Sequence, residues 1–300
     1  MTTIRTILSA AIVTAVMGTA NAEGDLKPFI MGDSAGSDIV SAVSATKEKL
    51  TAAGFEIAGE YSPYDTATII VITNDTLKSA AAKTDFGAFG AATRVTITKG
   101  TDGSIQVAYT NPDYYSAVFR MESDLSSVSS KLASALGNKG GYGPESGLSA
   151  DDLGDYQYKW LMPYFTDRLE LAEYDSQNKA VSAVEANLKA GKGGTAEVYR
   201  IDVPGQDATV FGVAMKGTPE ECAGDKYIMD SIDFKDTRST GHLPYEIVVK
   251  DGIAYALPAE FRIAISFPDL AMVGSNSFAG IMCAPGAIQA TLEAAAGNGS

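Results

Sequence analysis

Histidine, cysteine and tryptophan are scarce in this chain of 300 residues, which has one His, two Cys and one Trp. A single imidazole means that any Ser-His-Asp or Cys-His mechanism must run through His242. Positive charge is short as well. With 23 Lys+Arg against 37 Asp+Glu the formal charge is −14, so nucleic acid and anionic membrane surfaces would repel the chain. Cofactor fingerprints are missing, and no cofactor is expected. Gly191-Lys192-Gly193-Gly194-Thr195 has the residue types of a phosphate loop, but it follows a helical pattern and precedes a strand, the reverse of the required order. The acidic residues Glu220, Glu221, Asp225, Asp230, Asp233 and Asp236 lack calcium-loop spacing and read as a solvated face.

What is present is the composition of a globular protein. At 45% hydrophobic and 20% charged, the chain can bury real cores, which excludes wholesale disorder, collagen and coiled coil. Arg5, an apolar run from Ile7 to Met17, and the ending Ala20-Asn21-Ala22 make a secretory signal peptide, residues 1–22, cleaved after Ala22. The run is shorter than the roughly 20 apolar residues that span a bilayer, and no later segment is long enough, so no membrane insertion is expected after cleavage. The expected location is a bacterial periplasm; plain secretion and an uncleaved anchor are the alternatives.

An internal repeat organises the rest. Ser41-Ala42-Val43 recurs as Ser182-Ala183-Val184, and the same offset of 141 lays Thr68-Ile69-Ile70-Val71-Ile72 on Thr209-Val210-Phe211-Gly212-Val213 and Glu56 on Glu197. At an offset of 146, Tyr109-Thr110-Asn111-Pro112-Asp113-Tyr114-Tyr115 falls on Tyr255-Ala256-Leu257-Pro258-Ala259-Glu260-Phe261, so both copies read Tyr-x-x-Pro-x-x-aromatic. In copy one, Val40, Val43, Lys47 and Leu50 mark a helix face ending at Gly54. Strands follow at 55–61 and 66–73 about the turn Ser62-Pro63-Tyr64-Asp65, then a short helix at 76–83 and a hairpin of 94–99 and 105–110. Copy two repeats the order with a helix at 178–190, strands at 196–203 and 208–215, and a hairpin of 246–250 and 253–257. Closing helices are predicted at 125–136 and 285–295. The fold class is therefore α+β: two similar lobes from an internal duplication, each a mainly antiparallel sheet with helices on one face.

The pattern of helix, two strands, hairpin and Tyr-x-Asn-Pro resembles the bacterial family called domain of unknown function 302, and in particular its exported two-lobe members. The residues that carry it are Val107 to Pro112 in copy one, with Phe261 to Leu270 and Ile281-Met282-Cys283-Ala284-Pro285 in copy two. The resemblance covers nearly all of the chain after the signal peptide and implies the α+β fold, with no activity attached. Copy two departs from the pattern with Leu257 where copy one has Asn111.

The boundaries follow: a first lobe at 23–136, a Gly-rich linker and aromatic strap at 137–168, and a second lobe at 169–300. Gly137 to Pro144 is expected to hold neither helix nor strand. Tyr156, Tyr158, Trp160, Tyr164 and Phe165 crowd the strap, either as packing between the lobes or as a platform for an apolar or ring-shaped ligand. In an oxidising compartment Cys222 and Cys283 pair most simply as a disulfide, for which the chain-entropy account gives roughly 4 kcal/mol. The rival is a thiophilic metal site, copper above all, at Cys222, His242 and Cys283, although no C-x-x-C or H-x-x-x-H spacing accompanies it. His242, beside Leu243-Pro244 at a strand start, reads as structural.

The functional reading is a non-enzymatic periplasmic protein that binds a small molecule or a periplasmic protein partner between its lobes. The expected ligand-binding residues are Tyr109, Asn111, Tyr115, Tyr158 and Trp160, with Asn111 alternatively a turn starter. The rival class is a copper carrier or an enzyme using Cys222, His242 and Cys283.

Overall fold

The computed structural model describes residues 25–36 and 38–298, so the expected signal peptide lies outside the described residues. The first half contains β1 (Phe29–Met31), α1 (Ile39–Ala52), β2 (Glu56–Tyr64), β3 (Ala67–Thr73), α2 (Asp75–Ala81), β4 (Thr93–Lys99), β5 (Ile105–Thr110), α3 (Pro112–Val118) and α4 (Ser126–Leu136). Two small elements follow, β6 (Gly141–Tyr142) and α5 (Ala150–Gly154). The second half contains β7 (Leu169–Glu173), α6 (Gln177–Lys189), β8 (Thr195–Val203), β9 (Ala208–Met215), α7 (Asp225–Ile232), β10 (Tyr245–Lys250), β11 (Ile253–Ala256), α8 (Ala259–Ser266) and α9 (Ala284–Ala296). All strand pairs are antiparallel and form two sheets, β2-β3-β4-β5-β1-β6 and β8-β9-β10-β11-β7. The protein is thus mixed α+β.

Local chemistry explains the elements. α1 starts where the Asp38 carboxylate accepts the Ser41 N–H at 2.9 Å, and α6 starts where the Ser176 hydroxyl accepts the Lys179 N–H. The buried stripe of α1 is Ala42, Thr46 and Leu50, spaced four apart. It is rotated from the expected face, of which Leu50 is buried while Val40 is 81% exposed. Gly54, at φ +83°, ends the helix and turns the chain into β2. Ser62 to Tyr64 belong to β2, and the turn falls one step later at Asp65-Thr66, with the Ser62 and Thr68 hydroxyls 3.0 Å apart.

The glycine-rich linker also differs from expectation. Gly141 and Tyr142 pair with Ile30 and Phe29, so β6 extends the first sheet. The open edge of β1 supplies the backbone partners that composition could not reveal, and the Phe29 and Tyr142 rings pack 5.5 Å apart. β1 itself has three residues, too few to show an alternating pattern.

The faces of the sheets away from the helices are covered reciprocally. Between α2 and β4 the chain crosses to the second sheet, where a 3-10 turn at Gly87–Gly90 lies on β9 and β10 and Phe89 packs 5.9 Å from the Tyr255 ring. Between α7 and β10 the chain crosses the other way, and the 3-10 turn Thr240–His242 lies on β3, β4 and β5. The Thr240 and Thr98 hydroxyls meet there at 2.9 Å. Gly241 fits because a Cβ would stand 3.0 Å from the Phe29 ring and 3.2 Å from the Thr110 methyl. Covered on both sides, β3 and β10 are buried along almost their whole length, and the two halves share one core.

Ladder register relates the two sheets residue by residue. Laying Tyr109 on Tyr255 carries Val95 onto Val248, Ile70 onto Val210 and Glu60 onto Ile201. Glu56 then falls on Glu197, as the sequence alignment has it, but β3 meets β9 one residue away from the expected register. The bulges between Ile57 and Gly59 in β2 and between Glu197 and Tyr199 in β8 match each other; the extra residue lies between Glu60 and Ile70, where β2 has a second irregularity between Tyr61 and Tyr64 that β8 lacks.

Candidate functional site

The polar residues of the second crossing segment converge on a charged cluster at the centre of the molecule. Arg94 of β4 and Arg262 of α8 both contact the Glu246 carboxylate of β10, Arg262 Nε at 3.1 Å, and all three side chains are buried. The cluster joins the two sheets and leaves one positive charge in excess. Carbonyls supply part of the compensation: Arg262 Nη2 donates to His242 O at 2.8 Å and Pro244 O at 3.1 Å. Arg94 Nε and Arg262 Nη1 keep no protein partner. Burial, then the neighbouring Arg262, brings the Arg94 guanidinium down to about 10.

His242 lies against this cluster. Its Nδ1 is 3.1 Å from Ser266 Oγ and its Nε2 is 3.1 Å from the Tyr245 hydroxyl, so a neutral ring can donate on one side and accept on the other. Tyr115 OH completes the chain 3.3 Å from Ser266 Oγ. Burial and then the two guanidiniums hold His242 well below its ordinary value. A histidine that takes a serine proton becomes imidazolium, which the adjacent arginines oppose, so the Ser266–His242 pair is suited to holding structure rather than to generating a nucleophile.

Beside this network a cavity of about 470 Å³ opens between the halves. One wall is β6 with Gly143 and Pro144; the others are the 232–239 segment, the end of α8 and residues 267–271. Ser266 lines it, which connects the cavity to the histidine network. Asp233, at the C-terminal end of α7, also lines it and is 3% exposed. Its Oδ1 accepts the Ser239 N–H at 2.9 Å, whereas Oδ2 has no partner. Burial raises the Asp233 carboxyl to about 7, against the lowering effects of the Ser239 bond, Arg238 and Lys235. Asp225, at the other end of α7, is likewise raised to about 7 by burial, with the Met215 N–H bonded to Oδ2 at 3.1 Å. Neither acid belongs to a solvated face, which corrects the reading of the acidic run for these two residues.

The expected ligand-binding residues do not share a cavity of that size. The Tyr109 hydroxyl donates to Gly137 O at 3.1 Å. The Asn111 amide is used at both ends: Oδ1 accepts the Asp113 N–H as the cap of α3, and Nδ2 donates to Lys27 O at 2.9 Å. Tyr115 belongs to the histidine network, the Tyr158 hydroxyl donates to Leu270 O, and Trp160 is 85% exposed at the tip of the strap. Phe165 packs with Phe86, Phe89, Phe119 and Phe261 inside the shared core. Cys222 and Cys283 lie at disulfide distance with Cα atoms 5.9 Å apart, so their sulfurs are taken up by each other while His242 is held by Ser266 and Tyr245. Among the described residues, no group of three or more His, Cys, Asp or Glu is placed to hold a metal ion.

Sequence reasoning missed Asp233, Ser266, Arg94 and Arg262. Arg94 was visible as a cation at the start of a strand that is otherwise apolar or threonine up to Lys99 at its end, but its partner lies 152 positions along the chain. No protein-family model, curated protein or solved structure matches the chain. No helix among the described residues is long and apolar enough to cross a membrane.

Proposed function

We propose that this is an exported, two-lobed binding protein, periplasmic after cleavage of its signal peptide, that takes a small molecule into the cavity between its halves. The observation that carries the reading is the 470 Å³ interlobe cavity, within the range of small-ligand sites, walled by Asp233 and Ser266 together with Phe234, Phe267 and Leu270. The lining is mixed, with five charged side chains, Lys27, Asp233, Lys235, Asp236 and Asp269, among apolar ones such as Ile232, Phe267 and Leu270. The lobes descend from a duplication in this reading, supported by the matched strand order and ladder register, and the likeness to exported members of the domain of unknown function 302 family agrees with it. Catalysis is disfavoured because His242 is buried beside two arginines.

Native mass spectrometry of periplasm-purified protein tests the reading. A retained small-molecule mass is expected, absent from the Ala271→Trp variant, in which an exposed residue at the cavity wall is enlarged. If no adduct is retained and no compound of a metabolite library raises the melting temperature, the cavity is not a ligand site.

A further inference from the structure

Trp160 and Leu161 stand in solvent at the tip of the strap. The Met162 N–H donates to Lys159 O at 2.9 Å, closing a turn whose two central residues are Trp160, 85% exposed, and Leu161, 78% exposed. Leu161 has φ +71°, a left-handed conformation that bulky side chains rarely adopt. The turn is braced from below. Gln157 Nε2 donates to Met162 O at 2.8 Å, Gln157 Oε1 accepts from the Tyr164 hydroxyl at 3.1 Å, and the Tyr156 hydroxyl donates to Ala264 O of α8 at 3.3 Å. Two large apolar side chains are thus held in water on a fixed support.

A surface cleft of about 580 Å³ adjoins the tip, with Leu161 to Tyr164 on one side and Pro258 and Pro285, at the starts of α8 and α9, on the other. Met282, 76% exposed, lies two residues before α9. The charged residues lining the cleft are both acids, Asp167, which is exposed, and Glu260, which is partly exposed. The cations of the strap are engaged elsewhere: Arg168 pairs with Glu170 and lies over the Tyr255 ring at 4.9 Å, and Lys159 lies over the Tyr158 ring at 5.3 Å. Residues 151–167 carry Asp151, Asp152, Asp155 and Asp167 against that one lysine, so the rim is acidic.

We propose that the Trp160-Leu161 tip and its cleft form a docking surface for a basic, apolar segment of a partner protein, a role independent of the interlobe cavity. Exposed apolar surface rimmed by polar groups is characteristic of protein interfaces, where Trp, Tyr and Met are enriched. The braced turn lowers the ordering cost of binding. Charge selects the occupant. Acids on the rim attract Lys and Arg, whereas a second copy of this chain would bring the same acids and a formal charge of −14, and an anionic lipid surface would be repelled in the same way.

The test selects a phage library of random dodecapeptides on the immobilised protein and measures the enriched peptides by fluorescence anisotropy. The expected peptides carry Lys or Arg beside apolar residues. Trp160→Ala, whose ring is exposed and whose removal leaves the fold intact, should weaken them about 10- to 100-fold, the range for an interface tryptophan. Asp167→Asn with Glu260→Gln should weaken them about 3- to 10-fold and flatten the dependence on salt. Val40→Ala, at an equally exposed apolar residue on α1 that does not line the cleft, should leave binding unchanged. Failure to enrich any peptide, enrichment of acidic or uncharged ones, or affinity that survives Trp160→Ala overturns the proposal. So does a dimer in sedimentation, or binding to phosphatidylglycerol vesicles, that Trp160→Ala abolishes, since each would give the surface a different occupant.

Discussion

The two crossing segments, 82–92 and 233–244, hold the same place in the strand order, and each covers the opposite sheet, yet their chemistry is opposed. The first presents buried Gly87, Ala88, Phe89, Gly90 and Ala91; the second presents Asp233, Ser239, Thr240 and His242. An apolar plug asks only for volume to be filled, and Phe89 fills it among Phe119, Phe165 and Tyr255. A polar strap asks for a partner at each donor and acceptor. At Asp233 Oδ2 the partners run out, and the buried carboxyl keeps one oxygen without a hydrogen bond. The difference teaches that matched topology fixes which surface a segment covers, while side-chain chemistry decides whether covering it is a matter of volume or of hydrogen-bond partners.

The comparison is broken most severely at Glu246. Glu246→Ala leaves Arg94 and Arg262 buried without a carboxylate, and unfolding by urea should show a loss of about 3–5 kcal/mol. A loss below about 1 kcal/mol would mean that the polar interface tolerates an unpaired charge and is not held by this cluster. On the apolar side, Phe89→Ala should cost about 3 kcal/mol by removing a ring at the same kind of crossing, with no change in the dependence of stability on pH.

The pH dependence itself separates the halves. Asp225 and Asp233 titrate near 7 in the folded protein and near 3.8 without the fold, so between those values the folded state holds protons that the unfolded chain has released. Stability from these groups is therefore fully present below about pH 4, declines by about 1.4 kcal/mol per pH unit for each group up to about pH 7, and is level above. Melting temperature should fall from pH 5 to pH 8, and the Asp225→Asn/Asp233→Asn double variant should flatten that fall. A melting temperature that rises over this interval in the unaltered chain would show that both acids are ionised throughout. The smallest effect is expected at the strap tip, where Trp160→Ala should change stability by less than about 0.5 kcal/mol, since the ring is almost wholly exposed.

Much of the secondary structure was legible because hydrophobic period and turn chemistry are local. The hairpin 93–110, the strand 208–215 and both closing helices stand within a residue or so of where the patterning puts them. β7 illustrates the limit: its five residues pair with β11 across 80 to 87 positions, and no window of sequence contains both. For the candidate site, the aromatic residues drew attention through their density, but Trp160 and Asn111 are placed by solvent and by a helix cap respectively. Asp233 was grouped with a solvated acidic run because charge spacing carries no record of burial.

By itself the sequence determined the alternation of helices and strands and the pairing partners available to its two cysteines, since each depends on residue type and order along the chain. Tertiary structure alone decided that each half would send its connection across the other's sheet, that Arg94 would meet Glu246, and that an acid at the end of α7 would lose water without gaining a second donor. The physical reason is that desolvation and charge pairing depend on distances of a few ångströms in space, and those distances exist only once both sheets have folded against each other.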